Sequence, residues 1–449
     1  MYVLAADFGT SSVKTAILDE NNNLLKTAKH NYEFKVTERT RVEIDVDEVM
    51  NAFIQSLHEL KEYLPYVEAI GFDTFAPSFL LMDKEGNAVS RIITHLDRRS
   101  RQYTKKIMEN IGKDEFRNIT GTLPHAGGVT LTTLLWFMDH RPELIDRTEK
   151  IGHLSTYLFK RMTGEWAIDL TNASITGMYE TVKNKGWSHE ICKLFNVPER
   201  LLPEIFETGD CSGILQKEMA EKMGVKQGTP VMLGMQDVAG AIVGAGNTQT
   251  GDVLFISGSS EMISVLSDRP VTNDKYYLRC SPVKGKWQIF SITTAGFILE
   301  WFQNEFYREM SKEGFFQKHL AEVLENEYQS DGVRFLPYLT GDRQSLRVKK
   351  GSFSGLSLST KRDDLLNAVI DGIQNPAKIT LEECKKIINV NKYMKATGNL
   401  VENPSYLKRK RSIFDDAEIE VVDNCPLKGC AVLAWNMLKK NNLLHIGGR

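Results

Sequence analysis

The stretch Val3–Leu25, "VLAADFGTSSVKTAILDENNNLL", decides the reading of the fold. An apolar run breaks at Asp7-Phe8-Gly9-Thr10-Ser11-Ser12 and then resumes as a second alternating run, the pattern of two strands joined by a tight polar turn. One carboxylate, one glycine and three hydroxyls at such a turn suit a phosphate and a metal ion better than they suit a core. A further turn at Glu20-Asn21-Asn22-Asn23 precedes a third strand near Leu25–His30, so a β-meander opens the chain.

Working outward, helical periodicity follows at Val46–Tyr63, "VEAIGFDTF" (Val67–Phe75) reads as a strand, a hairpin turns at Glu85-Gly86-Asn87, and Arg98–Asn110 reads as a polar helix. The opening plan then recurs. "GDVLFISGSSEMISVLSD" (Gly251–Asp268) again runs strand, Gly/Ser turn, strand, with more strands expected at Tyr276–Ser281 and Trp287–Ser291 and a helix at Ala295–Glu309. Two related α/β domains, 1–246 and 247–449, are therefore expected, each with a hydroxyl-lined hairpin suited to gripping a polyphosphate. Between the repeats lies "PVMLGMQDVAGAIVGAGN" (Pro230–Asn247), a strand followed by Asp237 and a small-residue helix. Glycine is a poor helix former, so this many of them call for the close approach of another backbone or of a ligand, with Asp237 at the helix N-terminus.

Composition removes several classes of function. Lys+Arg 56 against Asp+Glu 58 leaves a formal charge of −2, with no basic excess to hold nucleic acid or an anionic membrane. No apolar run approaches the roughly 20 residues of a spanning helix and no basic n-region opens the chain, so a cytoplasmic protein is expected. The six cysteines are scattered without a CxxC pair, and reduced thiols are the default. The run "KRKR" (Lys408–Arg411), with Asp415, Asp416 and Glu418 nearby, reads as a solvated helix face.

Taken in order, these segments resemble the FGGY carbohydrate kinases, sugar and polyol kinases of the actin-like ATPase fold, over nearly the whole chain. "DFGTSSVK" (Asp7–Lys14) resembles the first phosphate motif, "GMQDVAGAIVGAG" the segment of the catalytic aspartate, and "ISGSSE" (Ile256–Glu261) the second phosphate motif. "TGEWAIDLTNASITGMYE", "RFLPYLTGDR" and "GSFSGLSLSTKRDDLLNAVIDGI" are similar to further family segments. The resemblance implies two actin-like (ribonuclease H-like) domains facing a central cleft, with the sugar side N-terminal and the nucleotide side C-terminal. It implies ATP and Mg2+ as cofactors, with Asp7 at the metal and Gly9, Thr10, Ser11, Ser12, Lys14, Gly258, Ser259 and Ser260 at the phosphates. Thr397, Gly398 and Asn399 fall at the adenosine motif, where only Gly398 of the family's double glycine is kept. "THLDRRS" (Thr94–Ser100) resembles the Trp-x-Asp-x-Arg segment with His95 in the Trp position, so Thr74, Phe75, Asp97 and Asp237 are expected on the sugar side. Ala76-Pro77 stands where xylulose and gluconate kinases have Met-His, closer to the Asp-Thr-Trp of rhamnulose kinases.

Phosphoryl transfer asks for positioning and electrostatics rather than covalent chemistry. Gly9 and Gly258 let backbone N–H groups approach phosphate oxygens, the hydroxyls add donors, and Asp7 suits a Mg2+ that keeps most of its water. Asp237 is expected to accept the proton of the attacking hydroxyl and to orient it. The substrate class is a small sugar, sugar acid or polyol, xylulose- or gluconate-like, with a homodimer left open. Two other readings compete: an actin-like ATPase that couples hydrolysis to shape change, for which no appended substrate-binding domain is visible, and a regulator that has lost catalysis, against which Asp7 and Asp237 argue.

Overall fold

The computed structural model describes residues 1–38, 40–325, 330, 332–339, 341, 346 and 349–440. Their contacts divide into two units, one made of Met1–Gly246, Arg279–Lys286 and the chain from Asn424, the other of Asn247–Leu278 and Trp287–Asp423.

The first unit is built on the meander. Strands β1 (Tyr2–Phe8), β2 (Ser12–Leu18) and β3 (Leu24–Asn31) pair antiparallel, and β4 (Val67–Thr74) lies parallel to β1 on its other side. β5 (Ser212–Ile214) and β6 (Pro230–Met232) complete the order β5–β6–β4–β1–β2–β3, while β7 (Met235–Gln236) also pairs with β4. The helix expected from Val46 ends sooner than Tyr63: α1 (Val46–His58) gives way to a 3₁₀ turn at Leu64–Tyr66, where Pro65 has no N–H to continue it. A five-stranded sheet of Phe34–Thr37, Arg41–Ile44, Ile92–Thr94, Ser78–Met82 and Lys150–Gly152 belongs to the same unit.

Two short helices matter for the site: α2 (Leu170–Ala173) and α3 (Asp237–Gly244). The glycines of α3 are explained by the last helix of the described chain. A Cβ on Gly244 would stand 1.8 Å from the Cys425 carbonyl oxygen, and one on Gly429 2.0 Å from that of Gly240. The two helices meet backbone to backbone, so the close approach anticipated from sequence is a helix contact. That helix carries Leu427, Cys430, Ala431 and Ala434 into a core shared with Val3, Ala5 and Ala69. Residues 424–440 thus pack with the N-terminal sheet, apart from the unit formed by 247–278 and 287–423.

The second unit repeats the plan. β8 (Val253–Ser257), β9 (Ser260–Ser267) and β10 (Trp287–Thr294) are antiparallel neighbours, β11 (Tyr393–Thr397) runs parallel to β8, and β12 (Glu418–Val421) parallel to β11. Its helices include α4 (Gly296–Phe306), α5 (Arg362–Lys385) and α6 (Pro404–Ile413), and the returning helix of the first unit is α7 (Cys425–Lys440). The expected solvated face at Lys408–Arg411 holds for the exposed Lys408 and Arg411 and is corrected for the two residues between them. Lys410 is fully buried on Glu261 at 2.5 Å, Arg409 forks onto Asp371 at 2.6 Å, and Arg411 donates to the Ile419 carbonyl at 2.7 Å. No helix among the described residues is long and apolar enough to cross a membrane.

Candidate active site

Strand register assembles the site. Across the first sheet Lys14 of β2, Asp7 of β1, Asp73 of β4 and Met235 of β7 form one row, with Phe8, Thr74 and Gln236 in the next. β1, β4 and β7 are mutually parallel through β4, so their carboxyl ends lie together, the edge where open α/β sheets bind ligands. Asp237 follows Gln236 directly as the first residue of α3. The turn after β1 is closed by Gly9 N–H donating to the Ser12 carbonyl at 2.9 Å. Tyr32, just past β3, clamps it by donating its N–H to the Ser11 carbonyl at 3.0 Å and its hydroxyl to the Gly9 carbonyl.

Three carboxyl groups therefore share one strand edge. Burial raises Asp7 above the ordinary carboxylate range, opposed by the facing Lys14 cation. Asp73, with no exposed surface, is raised further, by burial first and then by the charge of Asp7. The Cys430 thiol donates to its Oδ2 at 3.1 Å, Asp73 and Asp7 share a side-chain hydrogen bond, and the buried hydroxyl of Thr74 is without a partner. Asp237 is pushed up to about 7 by burial and then by Asp7, while the Val238 N–H, at 2.7 Å from Oδ1, and the Arg279 cation work the other way. A carboxyl near 7 is a far better proton acceptor at neutral pH than an ordinary aspartate.

Three acids gathered at one strand edge, with the Thr74 hydroxyl unpartnered beside them, fit a hydrated divalent cation. Among the described residues no group of three or more His, Cys, Asp or Glu is arranged to ligate a metal. Mg2+ does not need one, because it keeps several waters and takes one or two carboxylates.

The residues expected on the sugar side are placed differently from one another. Phe75 continues the second row, its N–H donating to the Phe8 carbonyl at 2.7 Å and its buried ring packing at 6.3 Å from that of His95. Asp97 is 1 % exposed and committed elsewhere: it accepts from Val42 N at 2.8 Å, from Arg99 N at 2.9 Å and from the Arg99 guanidinium at 2.7 Å, and that guanidinium also holds Glu43 at 2.6 Å. In the second unit the turn between β8 and β9 is closed by Gly258 N–H donating to the Ser260 carbonyl at 2.9 Å. The register Ile256↔Thr397 brings Thr397, Gly398 and Asn399 beside it, and the Leu400 N–H donates to the Ser257 carbonyl at 3.1 Å. The two groups of residues expected at the nucleotide are thus neighbours. Thr340, Asp342 and Arg343 of "RFLPYLTGDR" lie outside the described residues.

The glycines divide by cause. Gly398 has φ +106° and a Cβ there would stand 2.4 Å from the Ser257 carbonyl, so the fold itself requires glycine. At Gly258 the nearest atom to a Cβ is Asn399 Oδ1 at 3.5 Å, an ordinary contact. The chain does not need that glycine; a ligand approaching the backbone would.

Residues 2–244, more than half of the 449, match the FGGY family of carbohydrate kinases, N-terminal domain. The chain belongs to the FGGY family. It is 27 % identical to a xylulose kinase of Lactococcus lactis over 96 % of this chain and 87 % of that one. It is 25 % identical to a gluconokinase of Bacillus subtilis over 92 % and 83 % respectively. Its fold is that of the ligand-bound xylulose kinase from Lactobacillus acidophilus, with a TM-score of 0.87 at 20 % identity over 98 % of this chain and 90 % of that one. This FGGY chain is accordingly a two-domain α/β carbohydrate kinase, a phosphotransferase that uses ATP.

Asp73 was not singled out from the sequence, although a carboxylate inside the apolar strand "VEAIGFDTF" is the signal that marks it. Tyr32 carries no such signal, because its clamp on the turn exists only through the pairing of β2 with β3.

Proposed function

We propose that this kinase transfers the γ-phosphoryl group of ATP to a hydroxyl of a small sugar, sugar acid or polyol of the xylulose and gluconate class, with Asp237 as the base. The observation that carries this reading is the place of Asp237: head of α3, two residues beyond Met235 in the row that joins Asp7 and Asp73, with its carboxyl raised to about 7.

Asp237 accepts the proton of the attacking hydroxyl and fixes the direction of its lone pair, help worth about 10²–10⁴-fold. Asp7, with Asp73 and Thr74 beside it, would hold a hydrated Mg2+, which when bound would supply positive charge against the phosphate oxygens. The backbone N–H groups and hydroxyls of Gly9–Ser12 and Gly258–Ser260 hold phosphate oxygens, Lys14 adds positive charge at the first turn, and Thr397–Asn399 support the nucleoside. Thr74 and Phe75 face the sugar. Asp97 acts there indirectly, by locking Arg99 and the Val42 strand that frame that side. A cytoplasmic location follows from the supply of ATP.

The test is ADP release with MgATP and D-xylulose, D-gluconate, glycerol or L-rhamnulose, with the product's mass determined. Sugar-dependent ADP formation and a monophosphorylated product are expected from at least one. ADP release that no acceptor stimulates would favour an ATPase and overturn the reading.

A further inference from the structure

The segment Asp169–Ser174, similar to a family motif but given no task so far, carries a buried polar chain that ends one residue short of Asp237. Asp169 has no exposed surface and accepts five hydrogen bonds: from Thr171 N at 3.0 Å, Thr171 Oγ1 at 2.6 Å, Asn172 N at 3.1 Å, Asn172 Nδ2 at 2.6 Å and Thr208 Oγ1 at 2.9 Å. The proton of the Thr171 hydroxyl is therefore committed to Asp169. Its oxygen is left as an acceptor, and it receives the Gln236 N–H at 3.1 Å. That direction is fixed, since a backbone N–H can only donate.

The far end of the chain is fixed by the same reasoning. The amide nitrogen of Asn172 goes to Asp169, so its Oδ1 accepts from His153 Nδ1 at 2.9 Å, which leaves His153 Nε2 to accept from the Thr130 hydroxyl at 2.8 Å. Thr130, His153, Thr171, Asn172 and Gln236 are all buried. A fully satisfied buried network has one arrangement and holds what it touches to it. What it touches is the junction of β7 and α3, the residue before Asp237.

We infer that Thr171, locked by Asp169, is the positioning residue that aims Asp237. This rests on the reading of Asp237 as base. The hydroxyl anchors Gln236 from outside the sheet, and the start of α3 cannot rotate without breaking that bond. Misplacement by about 1 Å of a group at the reacting centre can cost on the order of 10²-fold.

The test compares Thr171→Val, which keeps the shape and removes the acceptor, with Thr171→Ser, which keeps the hydroxyl, and Thr208→Val, which takes a donor from Asp169 without touching Gln236. Each is assayed with MgATP and D-xylulose, D-gluconate or glycerol, and amide exchange is followed over 233–240 without ligand. Thr171→Val is expected to lower kcat by about 10- to 100-fold with KM for both substrates within about threefold, and to speed exchange at Gln236 at least about tenfold. Thr171→Ser should restore both, and Thr208→Val should lower Tm while leaving kcat within about twofold. A general structural role would make Thr171→Val and Thr208→Val alike. Unchanged Gln236 exchange in Thr171→Val, or a loss of kcat that Ser does not repair, would overturn the proposal. If Thr171→Val does not fold, Thr171→Ser decides, because a kcat below about a third of the parent would mean that the methyl matters and not the hydroxyl. If none of the acceptors is turned over, the exchange result decides alone. Asp237→Asn run in parallel separates the two claims: near-normal turnover there sinks the base, whereas a dead Asp237→Asn beside a fully active Thr171→Val sinks only the positioning.

Discussion

Two buried acid sites, one in each unit, sit beside corresponding hairpin turns and are treated in opposite ways. Glu261, just after the Gly258–Ser260 turn, accepts from Lys410 at 2.5 Å, Ser257 Oγ at 3.1 Å and Tyr406 at 3.4 Å, and Lys410 in turn reaches Gln374 at 2.8 Å and lies 4.1 Å from the centre of the Phe255 ring. Every charge there is answered by the chain. At Asp7 and Asp73, just before the first turn and across from it, acid faces acid, and burial together with the charge of Asp7 holds Asp73 well above the ordinary carboxylate range. Gathering acids at one buried edge without a cation of the chain's own beside Asp73 is expensive, so perturbed acids of this kind mark candidate ligand sites. In the second unit the buried charge serves stability; in the first, on the proposed reading, it serves a ligand.

The largest effects should separate along that line. Asp237→Asn keeps the volume and removes the proton acceptor, so kcat should fall at least about 10²-fold with little change in sugar affinity. Steady-state kinetics on the accepted sugar check this, and turnover near the parent's would refute the assignment. Lys410→Met should instead act on the fold, costing about 3–5 kcal/mol in denaturant unfolding because Glu261 is left as an unpaired buried charge. The double variant Lys410→Met with Glu261→Gln should recover a large part of that loss, and no recovery would mean that the pair is not the source of the effect.

A smaller contrast tests the two kinds of glycine. Gly258→Val should leave the melting temperature close to the parent's, since a Cβ there meets only Asn399 Oδ1 at 3.5 Å. On the proposed reading, in which the side chain would fill the place of a phosphate, it should weaken ATP by about tenfold or more and adenosine far less. Gly398→Ala should do the reverse, destabilising by about 1–3 kcal/mol through its φ of +106° and the Ser257 carbonyl. Calorimetric titration with both ligands, beside thermal melts, distinguishes the cases; equal losses of ATP and adenosine in Gly258→Val would indicate general misfolding.

What the sequence showed and what it hid follow from how local each feature is. The meander from Val3, the strand from Val67, the second hairpin at Gly251–Asp268 and the strand-to-helix step at Asp237 are written in alternation and in Gly/Ser turns, which neighbouring residues determine. The return of α7 to the first sheet is not, since it depends on Gly240, Gly244 and Gly429 meeting in space. Lys410 reads as surface in "KRKR" because only its partner Glu261, 149 positions away, makes it interior. Asp97 matched a sugar-side segment by residue type, yet its oxygens are taken by Arg99 and by Val42, which is 55 positions away. Thr171 was visible inside a motif, but its task rests on a bond to Gln236, 65 residues on.

The finest test of the comparison is pH. Asp237 has its carboxyl raised to about 7 in the folded chain against an ordinary value of 3.8, so between those values the native state holds a proton that the unfolded chain has lost. Stability from this group is therefore fully present below about pH 4 and is lost as pH rises through 7. Asp237→Asn cannot titrate, so its melting temperature minus the parent's should grow from pH 4 to pH 8 and then level. Activity moves the opposite way, because the base must be free of its proton: kcat/KM for the sugar should rise with pH and reach half its plateau near 7. At the Glu261–Lys410 pair each charge already has its partner, and no comparable divergence between stability and activity is expected from the double variant there. Melts and kcat/KM collected from pH 5 to 9 on the parent and both variants decide it. A melting difference for Asp237→Asn that stays flat across that range would mean that the acids of the first unit are answered by the chain after all.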